Sequence, residues 1–81
     1  MTKNYFDLYF DECERINDVF EVEDQNGTLH VFEKDAVREE LKALPAQYQE
    51  QIKSKIAIIE LRNPDGINHF IEYVLRGLLS C

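Results

Sequence analysis

The sequence predicts one α+β domain covering residues 1–81: an N-terminal helix, a β-hairpin, then three helices. Three observations carry that expectation. The stretch Asn63–Leu79 repeats large apolar residues at helical spacing. Asn26-Gly27 sits between two alternating segments, as a hairpin loop does. Pro45 and Pro64 stand where helices begin.

The last stretch is the most strongly patterned. It opens Asn63-Pro64-Asp65. Asn accepts hydrogen bonds from the free N–H groups of a first helical turn. Pro lacks an N–H that would go unpaired there. Asp65 sets a negative charge against the positive end of the helix dipole. Ile67, Phe70, Ile71, Val74, Leu75, Leu78 and Leu79 then follow the i, i+3, i+4, i+7 rule. A stripe this apolar requires burial, so this helix is expected at the centre of the core.

Asn4 to Ile16 admits two readings. As a strand, Phe6, Leu8 and Phe10 alternate with Asp7 and Tyr9, but the alternation fails after Asp11. As a helix, Tyr5, Phe6, Tyr9, Phe10, Cys13 and Ile16 share one stripe. The helix accounts for the whole segment and is preferred. Its outer face then carries Asp7, Asp11 and Glu14 at i, i+4, i+7.

Asp18 to Glu33 reads as the hairpin. A two-residue type I′ loop at Asn26-Gly27 requires φ > 0 at both positions. It sets Glu23 opposite His30, Val22 opposite Val31 and Glu21 opposite Phe32. Phe20, Val22, Leu29 and Val31 then share one face, against which the last helix is expected to pack.

Asp35 is a candidate cap for a helix over Ala36–Leu44, with Val37, Leu41 and Leu44 inward. Pro45 ends it and starts a helix running to about Arg62, with Tyr48, Ile52, Ile56 and Ile59 on one stripe. Lys55–Leu61 is rich in β-branched residues and gives an alternative reading as a third strand. Helix is preferred because nothing resembling a turn separates Gln47 from Asn63. Ile58 and Leu61 fall off the helical stripe.

The net charge is −7 and unevenly placed. Residues 1–24 hold eight acids against Lys3 and Arg15, or −6; the remaining eight acids and seven bases give −1. Such a field opposes direct binding to nucleic-acid phosphate, which needs Lys and Arg. It opposes an anionic membrane surface for the same reason. No apolar run approaches the ~18 residues of a membrane span, and the N-terminus lacks a signal-peptide layout. A reducing, cytoplasmic setting with free thiols at Cys13 and Cys81 is therefore expected.

Cys13, His30, His69 and Cys81 are the possible soft-metal ligands, but no two have zinc-site spacing, so no metal and no cofactor is expected. Glu23 facing His30 offers an acid–base pair, and such pairs also occur simply because they stabilise a sheet. No phosphate loop or nucleophile motif is present, so the chain is read as a non-enzyme.

What remains is contact. The acidic residues Asp7, Asp11, Glu14 and Asp18 suggest a docking face for a basic protein partner. Phe32, Ile58 and Leu61 are the candidate apolar contacts, with a homodimer as the expected assembly. The function expected is a small protein-interaction module or regulator. One alternative is an acidic mimic of nucleic acid that inhibits a DNA- or RNA-binding protein. The other is a small enzyme or metal protein using Cys13, His30 or His69.

Overall fold

The computed structural model describes residues 4–80 and has the expected order of elements. They are α1 (Tyr5–Glu12), β1 (Val19–Glu23), β2 (Leu29–Glu33), α2 (Lys34–Lys42), α3 (Ala46–Arg62), a 3-10 turn (Pro64–Gly66) and α4 (Ile67–Leu79). β1 and β2 form a two-stranded antiparallel sheet. α4 packs on β1, α1 and β2 pack on α2, and α3 lies along α4.

α1 begins at Asn4, whose side-chain oxygen accepts from the Phe6 N–H at 2.8 Å. Phe6 and Phe10, one turn apart, are fully buried. The helix stops at Glu12, four residues before Ile16, and Cys13 is already extended. The reason lies in α4. Asn68 accepts from the Asn17 N–H at 3.0 Å and donates to the Arg15 carbonyl at 2.9 Å. These bonds satisfy backbone groups that a longer helix would have paired internally. Ile16 still enters the core, from the loop.

The hairpin is present, but its register differs by one residue from the type I′ expectation. Val19 faces Glu33, Phe20 faces Phe32, Glu21 faces Val31, Val22 faces His30 and Glu23 faces Leu29. The loop is a turn from Asp24 to Gly27, closed by the Gly27 N–H on the Asp24 carbonyl at 3.1 Å. Gly27 is left-handed at φ +82°, whereas no non-glycine residue described has positive φ, Asn26 included. This is the three-residue loop with a glycine bulge. Asp24 explains it: Oδ1 accepts from the N–H groups of Asn26 (2.8 Å) and Thr28 (3.0 Å), and Oδ2 meets His30 Nε2 at 2.8 Å. Local bonds of this kind hold Asx-type turns.

A slip of one residue moves a whole strand's side chains to the other face. Phe32 and His30 accordingly turn inward beside Phe20 and Val22, and Leu29 and Val31 face solvent. α4 therefore does not cover a Leu29/Val31 face. Gly27→Ala is expected to cost about 1–2 kcal/mol, because a Cβ disfavours the left-handed region. An unchanged urea midpoint would remove this loop assignment.

α2 starts directly after β2, with Glu33 at the N-cap position and the Lys34 N–H donating to the Asp18 carbonyl at 2.8 Å. Asp35 is thus in the first turn, where its charge suits the dipole, and is not the cap. Val37 and Leu41 are buried, and Leu44 packs beneath them. α3 is helical throughout, so Lys55–Leu61 is not a strand. Pro45 is its cap; Ile52 and Ile56 are buried, while Tyr48 is half-exposed. Gln49 ties three elements together. Its Nε2 donates to the carbonyls of Lys42 (3.0 Å) and Leu44 (2.7 Å), and its Oε1 accepts from Asn4 Nδ2 (3.2 Å).

Asn63 ends α3, its N–H on the Ile59 carbonyl at 2.7 Å, and its own carbonyl accepts from Gly66 at 2.8 Å. Its side chain makes no cap hydrogen bond, contrary to the sequence expectation. Pro64–Gly66 is accordingly a separate 3-10 turn before α4. Ile67, Ile71 and Leu75 are then fully buried, and Phe70, Val74, Leu78 and Leu79 pack around them.

Candidate interaction surfaces

The acidic N-terminal residues do not form one row. α1 ends before Glu14, so only Asp7 and Asp11 share a helix, while Glu14 and Asp18 are exposed in the following loop. Asp7 and Asp11 also face α2 and its bases. Lys42 Nζ lies 3.1 Å from Asp7 Oδ1, and Arg38 reaches Asp7 (3.6 Å), Asp11 (3.2 Å) and Asp35 (3.0 Å). The hydrogen bond that Lys42 donates to Asp7 holds its ammonium above its ordinary pKa. These two acids fasten α1 to α2, so they are not simply a solvated face.

A second cluster joins the end of α1 to α3. The Tyr9 hydroxyl donates to Glu60 Oε1, Arg15 Nη1 lies 3.3 Å from Glu60 Oε2, and Cys13 adjoins Tyr9. Burial first, then the hydrogen bond to Glu60, pushes the Tyr9 hydroxyl far above its ordinary pKa. A phenol held neutral in this way is a poor base or nucleophile and a good latch. Its folded pKa is raised, so its contribution is complete below the unfolded value near 10 and fades as pH rises past it. Tyr9→Phe is expected to lower stability by about 1–2 kcal/mol at pH 7. The deficit should shrink above pH ~10. A pH-independent deficit in urea titrations would contradict this assignment.

The imidazoles have other partners. His30 does not face Glu23; the shifted register gives it Asp24. The bond to His30, followed by the Thr28 N–H, holds the Asp24 carboxyl below its usual range. His69 lies 3.9 Å from Glu72, on the exposed side of α4. Cys13 is free and half-buried, and Cys81 lies outside the described residues. Among the described residues, no three His, Cys, Asp or Glu side chains gather as a metal site. Among them too, no helix is long and apolar enough to cross a membrane.

The apolar candidates separate. Phe32 is partly buried and packs against the core rather than projecting into solvent. Ile58 (50% exposed) and Leu61 (88%) project from α3. Ile58 lines an open groove of ≈540 Å³ between α3 and α4, with Ile52, Phe70, Tyr73 and Val74 as apolar walls and Glu50, Gln51, Ser54 and Lys55 as the rim. Tyr73, 72% exposed, lies outside the apolar stripe that the sequence pattern marks on this helix. The signal that could have found it is its spacing from Phe70, which lines the same groove. A further surface, the outward side of the hairpin, exposes Val19, Leu29 (56%) and Val31 (60%) beside Glu21, Glu23 and Glu33. In comparisons with known proteins, the chain matches no protein-family model, no curated protein and no solved structure.

Proposed function

We propose that the protein is a small non-enzymatic interaction module of the cytoplasm, working through the groove between α3 and α4. The supporting observation is the concentration of exposed apolar surface there. Leu61 and Tyr73 are the two most exposed large apolar side chains among the described residues. Tyr73 lines the groove, and Leu61 lies one turn beyond Ile58. Exposed apolar surface that the core does not need is the usual mark of a contact site.

The partner favoured is a second copy. α3 carries Lys53, Lys55 and Arg62 against Glu50 and Glu60, or +1, in a chain of net −7. Two copies meeting on this face avoid the repulsion between their acidic N-terminal thirds. In a two-fold pair both copies contribute this same patch to the contact. The acidic-mimic reading has less support, because Asp7 and Asp11 are already paired with Arg38 and Lys42.

Sedimentation at about 100 μM, well above the micromolar affinities of ordinary interfaces, should give a dimer. Ile58→Asp with Leu61→Asp should give a monomer whose stability stays within about 1 kcal/mol, since both side chains are exposed. A monomeric wild-type protein would remove the homodimer, and a dimer that survives the double change would move the contact elsewhere.

A further inference from the structure

The outward face of the hairpin is a separate surface with its own chemistry. The observed register places Val19, Glu21 and Glu23 of β1 beside Glu33, Val31 and Leu29 of β2, in that order. Along most of its length β1 therefore offers carboxylates and β2 offers aliphatic groups. The sequence pattern assigned Leu29 and Val31 to the core, so this surface exists only because of the shifted register.

Its charges are uncompensated. Among the described residues, ion pairs engage Asp7, Asp11, Asp24, Asp35, Glu39, Glu60 and Glu72, whereas none engages Glu21, Glu23 or Glu33. The fold spends Arg38 and Lys42 on the α1–α2 seam and Arg15 on Glu60. Acidic groups beside exposed aliphatic ones repel phosphate and attract cationic groups that carry apolar neighbours.

We propose that this face docks a basic amphipathic helix of a partner protein, with a Lys/Arg stripe over Glu21 and Glu23 and an aliphatic stripe over Leu29 and Val31. The spacings agree. Alternate side chains on one strand face lie roughly 6.7 Å apart. Residues at i and i+4 on a helix lie about 5–6 Å apart. A five-residue strand such as β1 extends roughly 17 Å, which a helix of about three turns covers.

The test uses the full chain, labelled with ¹⁵N, and a designed helical peptide of about 18 residues. The peptide carries Lys at i, i+4 beside Leu at i, i+4, and a control peptide has every Leu replaced by Gln. The Lys/Leu peptide should shift amide resonances of Val19–Glu23 and Leu29–Glu33. Glu21→Gln, Glu23→Gln and Glu33→Gln together should weaken binding about tenfold and flatten its salt dependence. Leu29→Thr with Val31→Thr should weaken it by at least about threefold. All five side chains are exposed, and unchanged thermal midpoints verify the fold. Equal binding by the Gln control peptide would overturn the proposal, because charge alone would then suffice. So would shifts confined to the α3–α4 groove, or no binding at about 1 mM peptide. Failure here leaves the homodimer untouched, since that contact lies on other elements and is read by sedimentation.

Discussion

Phe32→Ala should destabilise the protein by about 2–4 kcal/mol, whereas Val31→Ala should change it by no more than about 0.5 kcal/mol. The hydrophobic alternation of the sequence implies the opposite order. In the structure Phe32 faces Phe20 and packs against the core, and Val31 faces Glu21 on the exposed side. Removing a half-buried aromatic side chain loses its transfer free energy and leaves a partial cavity. Truncating an exposed valine loses only a little strand preference. Urea unfolding of the two variants measures the difference directly. If Val31→Ala proves the costlier change, the strands pair in the type I′ register, and the acidic–aliphatic outer face disappears with it.

The hairpin shows where sequence patterning stops being informative. Alternation and the Asn26-Gly27 pair located it, but both suit a two-residue and a three-residue loop. The choice turns on Asp24, whose carboxylate collects Asn26, Thr28 and His30. Nothing in a hydrophobic pattern encodes those bonds. The helices were more legible because their signals are long: α3 and α4 bury Ile52, Ile56, Ile67, Ile71 and Leu75 at the expected spacing. The end of α1 was not legible, because Asn68, more than fifty residues away, supplies the bonds that close it. The exposure of Ile58 and Leu61 was legible because both break a helical stripe. Phe32 was placed on the outer face through the register, whereas it packs against the core. The N-terminal acids were correctly placed on a helix face at Asp7 and Asp11, but their neutralisation by α2 depends on tertiary packing.

That neutralisation leads to the second large effect. Arg38→Ala should cost about 2 kcal/mol, or roughly 10 °C in melting temperature for a domain of this size. Arg38 reaches Asp7, Asp11 and Asp35, so its removal takes one shared guanidinium from three carboxylates, while Lys42 still reaches Asp7. The contributions are unequal. Asp35 is highly exposed, and a pair in water contributes a few tenths of a kcal/mol. Asp7 and Arg38 are both largely shielded, so their attraction is less screened. A double-mutant cycle between Arg38→Ala and Asp7→Asn should therefore show a coupling near 1 kcal/mol, and one with Asp35→Asn should show less than half of that. The Arg38 deficit should narrow at 1 M salt, where the Debye length is about 3 Å. Arg38→Lys should recover only part of the loss, because an ammonium cannot span three carboxylates as a guanidinium does. If Arg38→Ala stays within about 0.5 kcal/mol of wild type, the Arg38 bridges contribute nothing to stability and would not oppose a basic partner at this seam. If the loss appears, a basic partner at those acids must displace Arg38 first, and the unpaired glutamates of the hairpin are the easier place to dock.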